Sequence, residues 1–211
     1  QFSGKIEFRD VSFTYPGSET RTLNNLSFTI EPGERVAILG KIGSGKTTVA
    51  KLMLGLYQPD EGAVLIDGVD VRQIDPADLR KGVGAVLQDV WLMSGSIREN
   101  IALGVDAISD EAVLKAARIA GVEDFISQHP HGYSLQVGER GEGLSGGQRQ
   151  AVSIARAIVA EPTIWLFDEP SSAMDQQAEV VLVNRLQEAI GERTFVTIKQ
   201  KSSMVELASK G

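Results

Sequence analysis

The sequence predicts an α/β fold with a parallel central sheet and a helical segment inserted into it. Three segments with strand character carry this prediction, namely the runs VAIL at 36–39, TIWLF at 163–167 and TFVTI at 194–198. VAIL is continuously apolar, which is typical of a central strand that is covered on both faces, as in parallel sheets. Because helical patterns follow the first two runs, strand and helix alternate at both ends of the chain, which favours an α/β core.

The first part of the chain predicts strands before and after one helix. Apolar residues alternate at Ile6 and Phe8 and again at Val11, Phe13 and Tyr15, before the turn PGSE. This pattern predicts a first strand, and LSFTI predicts a second. After the run VAIL, the segment GKTTVAKLMLGL predicts a helix, and AVLI and GAVL predict two further strands.

The middle of the chain is helical in pattern. From about 97 to 128 the apolar spacing predicts helices, with Ser109 as an N-cap and Gly121 as a helix end. A further helix is predicted at 146–160, since Pro162 follows it. The last helix begins after Asp175, which is its predicted N-cap.

Length and composition limit the organisation and the partners. The 211 residues fit one domain, 1–211, with a core of 1–89 and 161–211 and a helical insert at 90–160. The net charge of −7 argues against a dedicated nucleic-acid partner, and the lack of cysteine excludes disulfides and thiolate metal sites. No run approaches the roughly 20 apolar residues of a membrane span, so we expect the chain as given to be soluble, although it could be part of a membrane protein.

The segment GKIGSGKTT matches the phosphate-loop pattern G-x-x-x-x-G-K-[ST]. Backbone N–H groups of such a loop surround phosphates, and the following helix presents its positive N-terminus. The Lys46 ammonium can reach the outer phosphates, and the Thr47 hydroxyl can hold Mg²⁺. The strand before the loop and the helix after it give the required setting, so we predict that the chain binds a nucleoside triphosphate. The predicted binding residues are Gly40, Gly43, Ser44, Gly45, Lys46, Thr47 and Thr48.

A pair of acids ends the apolar run in IWLFDEP. Carboxylates at the end of a buried strand are costly unless they have a partner or a task. Asp168 is placed to engage Mg²⁺, directly or through water, as in phosphoryl-transfer sites. Glu169 is then available to orient and deprotonate the attacking water. A simple acidic turn is the alternative, and it loses weight beside a phosphate loop.

These motifs together resemble the nucleotide-binding domain of ATP-binding-cassette (ABC) transporters over essentially the whole chain. The Walker A motif is GKIGSGKT, Walker B is TIWLFDE, and the family signature LSGGQ is present unchanged. The resemblance implies ATP and Mg²⁺ as cofactors. It also implies a P-loop NTPase (RecA-like) core, with an N-terminal antiparallel β subdomain and an inserted α-helical subdomain.

The resemblance also implies roles for residues outside the phosphate loop. Tyr15 matches the aromatic residue that stacks on adenine, although packing alone would also explain it. Gln88 matches the Q-loop glutamine, which touches the metal or the water and links to the transmembrane part; a polar strand end is the alternative. SSAMD at 171–175 resembles the D-loop. The alternative for Asp175 is a helix cap, and the two roles are compatible.

The signature LSGGQ predicts half of an anion site. It offers the Ser145 hydroxyl and glycine N–H groups at a helix N-terminus, but no lysine and no acidic strand of its own. The resemblance implies that two domains pair head to tail, each signature covering the ATP held by the partner's Walker A. The partner is a second copy or a paralogous half, and the implied contacts are Ser145, Gly146, Gly147 and Gln148.

Two further segments resemble exporters within the family. They are QDVWLMSGSIRENIALG at 88–104 and VGERG before the signature. The resemblance implies a transmembrane domain fused upstream and a place on the cytoplasmic face of the inner membrane. General likeness at GLYQPDEGAVLIDGVDVRQIDPADLR favours the type I secretion group, whose cargo is polypeptide.

The chain departs from the family at Gln200, where a switch histidine that contacts the γ-phosphate is expected. A glutamine amide can donate a hydrogen bond but cannot become cationic. Losing one such contact costs about 10²–10³ in rate, so we expect Gln200 to replace the histidine only in part and ATP turnover to be slow. An offset in the alignment is the alternative. The family also continues with another strand pair beyond ELASKG, so this ending is either truncated or unusual.

Three functions are compatible with these motifs. Glu169 favours an ATP hydrolase that drives export. Gln200 favours an ATP-gated dimerisation module with little turnover. The ATPase subunit of an importer is disfavoured by VGERG, and coiled-coil chromosome ATPases are excluded because no long heptad segment splits the chain.

Overall fold

A computed structural model describes residues 1–40 and 45–199 of the chain. The chain forms two compact units. The first comprises residues 1–84, 163–168 and the segment from 192 onwards, and the second comprises residues 85–162 and 169–191. The division predicted from the sequence, with an insert at 90–160, stays a prediction.

The first unit contains an antiparallel sheet with strand order β2-β1-β4-β5. Its strands are β1 (Ile6–Phe13), β2 (Leu23–Ile30), β4 (Glu61–Ile66) and β5 (Val69–Asp70). The register of β1 shifts between Phe8 and Val11, and Asp10 in between has a φ of +49°. A bulge of this kind inserts one residue, which explains why the apolar positions change from even numbers to odd numbers there. The predicted first strand is confirmed, but it ends at Phe13 and does not include Tyr15.

A second sheet has strand order β3-β10-β9-β6; its first three strands belong to the first unit, and β6 begins there. These strands are β3 (Arg35–Leu39), β10 (Thr194–Lys199), β9 (Ile164–Asp168) and β6 (Val83–Val86). β10 pairs in parallel with both β3 and β9, and every residue of β9 and β10 is buried. TIWLF and TFVTI therefore form central parallel strands, as predicted. VAIL forms β3, which pairs in parallel but is the last strand in this order and leaves Leu39 41% exposed, so the prediction of a strand covered on both faces was wrong there. Their carboxyl ends meet at one edge of the sheet, and helix α1 (Lys46–Met53) follows β3 in the chain.

Helix α2 (Pro76–Gly82) of the first unit was not predicted from the sequence. The Asp75 side chain accepts a hydrogen bond from the Ala77 N–H and caps the helix, and Pro76 occupies its first turn. Proline is favoured at this position because its missing N–H would have no partner there anyway. The Asp-Pro pair was therefore a signal for this helix.

The second unit is built mainly from helices. They are α3 (Ile97–Ile101), α4 (Asp110–Ala120), α5 (Val122–Ile126), α6 (Gly146–Ile158) and α7 (Gln176–Ile190). Short strands β7 (Gly95–Ser96) and β8 (Gln136–Val137) pair antiparallel. The predicted caps are confirmed: Ser109 and Asp175 accept backbone N–H bonds, and Gly121 ends α4 in the left-handed conformation.

Helix α6 lies at the centre of the second unit, in contact with α3, α4 and α5, while α7 packs on α4. The apolar face of α6, which includes Val152, Ile154 and Ala155, is fully buried. Within residues 1–40 and 45–199, no helix is both long enough and apolar enough to cross a membrane.

Candidate functional site

Gly45 ends the phosphate loop and forms the N-cap of α1 with a φ of +86°. A Cβ atom at this position would lie 2.9 Å from the Leu23 Cδ2 atom and 3.0 Å from the Thr22 carbonyl oxygen. Both the left-handed conformation and the close approach of a neighbouring backbone require glycine. The second glycine of the pattern is therefore fixed by local geometry within the first unit.

The Thr47 hydroxyl donates a hydrogen bond of 2.9 Å to the Oδ2 atom of Asp168. Asp168 is the last residue of β9 and is only 1% exposed. The fold thus brings together two residues that lie far apart in the sequence and that both match metal-binding positions. Lys46 lies at the same end of α1, and its ammonium donates to the Gly40 carbonyl oxygen over 3.0 Å.

Tyr15 lies beside α1 in the first unit. Its hydroxyl and the Thr48 hydroxyl are 2.7 Å apart, and its ring makes edge contacts with Phe13 and Tyr57. The Lys51 ammonium lies 5.6 Å from the Tyr15 ring centroid. Thr48 is 2% exposed, so its hydroxyl contacts Tyr15 inside the fold. These contacts hold the Tyr15 ring at the side of the helix that follows the phosphate loop.

Glu169 and Gln88 contact each other in the second unit. The Gln88 Nε2 atom donates to the Glu169 Oε2 atom over 3.4 Å. Glu169 has a φ of +46°, which is unusual for a residue other than glycine, and Pro170 follows it. A side chain in this conformation costs about 1–2 kcal/mol, so the surrounding contacts must hold it.

Gln150 is a buried polar residue that the sequence analysis missed. Its side chain makes three hydrogen bonds with the turn at 169–173, which contains Glu169. Gln150 lies three and four residues after Gly147 and Gly146, on the same face of α6. That spacing was a signal in the sequence that this glutamine faces whatever the two glycines face.

The signature residues form the N-terminus of α6. The Ser145 hydroxyl oxygen accepts from the Gln148 N–H, and the Gln148 side chain accepts from the Ser145 N–H, which together form a capping box. A Cβ atom at Gly146 would lie 3.1 Å from the Ala173 Cβ atom, and one at Gly147 would lie 3.3 Å from the Ala173 carbonyl oxygen. The glycines therefore allow the helix end to approach the turn closely. A cleft of about 490 Å³ opens beside this helix end, lined by residues of α5, α6 and α7.

The segment that follows Gln88 is held by Arg156 of α6. The Arg156 guanidinium donates to the carbonyl oxygens of Asn100 and Trp91, each over 2.8 Å, and to the Asn100 side chain. Burial lowers the pKa of Arg156 below its ordinary value, yet three acceptors satisfy the charged group. Trp91 itself is 59% exposed, so the network fixes a segment that presents a large apolar side chain at the surface.

Three predicted site residues lie outside the described part of the chain, namely Gly43, Ser44 and Gln200. The described residues that flank these segments are Gly40, Gly45 and Lys199. Gly40 follows β3, and its N–H donates to the Lys199 carbonyl oxygen over 3.3 Å at the end of β10. Strands β3 and β10 lead to these two segments. They pair with each other and end side by side at the same edge of the parallel sheet.

The fold and the motifs define a P-loop NTPase of the ABC type. The family model for the ABC transporter matches residues 23–172, and the chain belongs to this family. It is a nucleotide-binding (ATPase) domain of the ABC family.

The similar proteins agree with this assignment. The chain is 44% identical over 210 residues to the leukotoxin export ATP-binding protein LtxB of Aggregatibacter actinomycetemcomitans, covering 100% of this chain and 30% of the relative. The leukotoxin translocation ATP-binding protein LktB of Mannheimia glucosida is similar to the same extent. The solved structure of a bacterial Atm1-family ABC exporter with ATP bound is 41% identical with a TM-score of 0.88, covering 92% of this chain and 34% of that one. The chain spans about a third of the length of these proteins.

Proposed function

We propose that this domain binds Mg-ATP at its phosphate loop and hydrolyses it, as one of two ABC domains that pair head to tail and drive export through a membrane. The observation that carries the proposal is the 2.9 Å hydrogen bond between the Thr47 hydroxyl and the buried Asp168 carboxylate. It supports a working phosphate site, because a chance glycine-rich turn would not face a buried acid from a different strand.

The residues at this position fit Mg²⁺. Thr47 and Asp168 present hard oxygen atoms from two rigid elements, a helix end and a buried strand. When bound, Mg²⁺ neutralises negative charge that develops on the phosphate oxygens. Gln88 is proposed as a further contact of the metal or of the attacking water.

Each remaining residue has a proposed role in the reaction. The Lys46 ammonium, now bonded to the Gly40 carbonyl, binds the outer phosphates. The Gly45 N–H and the first-turn N–H groups of α1 bind phosphate oxygens. The Glu169 carboxylate accepts a proton from the attacking water, which the Gln88 amide orients. Tyr15 stacks on the adenine.

The signature is proposed to contact the ATP of a partner domain. Because the Ser145 hydroxyl oxygen accepts from the Gln148 N–H, the O–H that remains is a donor, which suits an anion. Ser145 is exposed, and the glycine N–H groups lie at the positive end of the 13-residue helix α6. A second copy of this domain, or a paralogous half, would bring its phosphate loop to this surface.

The whole protein is proposed to carry a transmembrane domain, to export polypeptide and to present this domain on the cytoplasmic face of the membrane. The support is that the chain aligns with about 30% of the length of relatives that are named for leukotoxin export or translocation. An ATP-gated dimerisation module with little turnover is the second candidate, favoured by Gln200 in place of a histidine. The similarity to exporters weighs against an importer subunit.

The proposal is tested by measuring phosphate release from Mg-ATP as a function of protein concentration. We expect turnover to rise faster than linearly, because the site is complete only in a dimer. Glu169→Gln is expected to lower it to a small residual rate, and Gln200→His to raise it about 10²- to 10³-fold. The control is Gln73→His, which adds an imidazole at an exposed position.

The outcomes separate the two candidates. Brisk turnover by the unchanged chain would contradict the role given to Gln200. Turnover that is strictly linear in protein concentration would contradict the head-to-tail dimer. ATP binding with no turnover in any variant would favour the dimerisation module.

A further inference from the structure

Gln150 connects helix α6 to the turn that carries Glu169. Its Nε2 atom donates to the Ser172 hydroxyl oxygen over 2.8 Å and to the Glu169 carbonyl oxygen over 3.4 Å. Its Oε1 atom accepts from the Ala173 N–H over 2.9 Å. Gln150 is only 4% exposed, so solvent does not compete for these bonds. One side chain thus binds both the beginning and the end of the turn at 169–173.

The turn needs an external support at Glu169. The φ of +46° places Glu169 in the left-handed region, and the proline that follows restricts its backbone further. The Glu169 carbonyl oxygen accepts from the Ser172 N–H over 3.2 Å in addition to the Gln150 amide. The direction of the Glu169 side chain follows from this backbone conformation, and two donors on one carbonyl hold the peptide plane.

The glycines of the signature place Gln150 within reach of the turn. Any Cβ atom at Gly146 or Gly147 would lie within 3.3 Å of Ala173 atoms, so a larger residue would push the helix end and the turn apart. Gln150 lies one helical turn further along the same face. The close approach allows a side chain as short as glutamine to reach three groups of the turn.

We propose that Gln150 is a positioning residue for Glu169. It holds the turn at 169–173 so that the Glu169 carboxylate points to one place, where the Gln88 amide now contacts it at 3.4 Å. This inference rests on the proposed function of Glu169 as the general base. Gln150 does not contact the reacting atoms and acts only through Glu169.

The position requires a side chain that donates and accepts at the same time. A methionine of similar length offers no donor and only a weak acceptor, and a glutamate offers acceptors but no N–H for the Glu169 carbonyl oxygen. Both Gln150→Met and Gln150→Glu should therefore release the turn, although only the second adds charge. Val152→Ala is the matched control, since Val152 is a fully buried residue of α6 on its apolar face.

The first measurement is amide hydrogen exchange of the peptide that contains residues 169–174, in this chain and its variants without nucleotide. We expect Gln150→Met to accelerate exchange at Ala173, whose N–H loses its acceptor. Val152→Ala should leave the relative protection of this turn unchanged. Unchanged exchange in Gln150→Met would overturn the proposal whatever the activity.

The second measurement is turnover of radiolabelled Mg-ATP, so that slow hydrolysis is detected. We expect Gln150→Met to lower kcat about 10- to 100-fold with KM for ATP within about twofold, because a misplaced base affects the chemical step and not binding. Val152→Ala should lower the thermal midpoint and leave kcat unchanged. An equal loss of kcat in Val152→Ala would show that Gln150 matters only for stability and would overturn the proposal.

A double variant tests whether Gln150 acts through Glu169. In the Glu169→Gln background, Gln150→Met should cause no further loss of residual turnover, because the carboxylate that it positions is already gone. A further loss of the same size would overturn the positioning role while leaving Glu169 as the base. If Glu169→Gln alone keeps full turnover, the proposed function of Glu169 fails, and the positioning role fails with it.

Discussion

Gly45→Ala is the substitution whose effect follows most directly from the structure. At this position a methyl group meets two penalties. The first is the left-handed conformation, with a φ of +86°, which costs a residue with a Cβ atom about 1–2 kcal/mol. The second is contact with the Leu23 side chain at 2.9 Å and the Thr22 carbonyl oxygen at 3.0 Å.

The second penalty is the larger, because backbone cannot move aside as a flexible side chain can. Forced overpacking of this kind costs about 1–3 kcal/mol, so the sum is about 2–5 kcal/mol. The shift also moves the start of α1, where the Lys46 and Thr47 groups are aligned. We therefore expect ATP affinity to fall at least about tenfold in addition to the loss of stability, since 1.4 kcal/mol of lost phosphate contact is enough.

Gly68→Ala is the matched control. Gly68 has a φ of +80°, and nothing lies within 4 Å of a Cβ atom built there. This variant isolates the conformational penalty in the same unit. At about 2–4 °C per kcal/mol for a chain of this size, Gly68→Ala should lower the thermal midpoint by about 2–8 °C. Gly45→Ala should lower it by about 4–8 °C more, if the overpacking term is about 2 kcal/mol.

Differential scanning fluorimetry and isothermal titration with ATP measure the two effects. Equal thermal midpoints for the two variants, or ATP affinity in Gly45→Ala equal to that of the unchanged chain, would refute the reasoning. The first result would mean that the Thr22 and Leu23 contacts impose no penalty. The second would mean that the loop tolerates a shifted helix start.

Two further predictions concern the first unit. Tyr15→Phe should keep the ATP dissociation constant within about twofold while Tyr15→Ala raises it about 5- to 150-fold, since base stacking contributes about 1–3 kcal/mol; equal losses in titration calorimetry would show that the hydroxyl, not the ring, is needed. Burial would raise the pKa of Asp67, but hydrogen bonds from the Ser3 hydroxyl and the backbone N–H groups of residues 3–5 outweigh it and lower the pKa. The stabilisation is therefore present above the unfolded pKa of about 3.9 and is lost as the pH falls through the lower folded pKa. Asp67→Asn should lower the free energy of unfolding by about 1 kcal/mol at pH 7 after solvent screening. It should also weaken the fall of the thermal midpoint at acid pH, and an unchanged fall would contradict this.

The sequence predicted the central strands well, for a physical reason. TIWLF and TFVTI are covered on both faces, so nearly every position is apolar or β-branched, and this signal does not depend on register. The helix ends at Ser109, Gly121 and Asp175 could also be predicted, because each of these residues caps a helix through its own backbone neighbours. The change of alternation in the first strand was visible as well, but only the structure identified it as a bulge at Asp10.

Short elements were harder to predict. β7 and β8 have two residues each, and their pairing joins segments about forty positions apart. No local periodicity can form in so few residues, so the pairing partner decides whether they are strands. Helix α2 carried an Asp-Pro signal, but its apolar content is small, with Leu79 as its buried residue.

By itself, the sequence determined the phosphate-binding motif, the acid pair and the membership of the ABC family, because these depend on residue types at fixed short spacings. Only the tertiary structure decided which distant residues meet. It brought Thr47 to Asp168 across 121 positions, and it turned Gln150, an ordinary helix residue in the sequence, towards the turn that carries Glu169. Such contacts depend on how strands are ordered in a sheet and on which face of a helix is buried, and neither is written in a local motif.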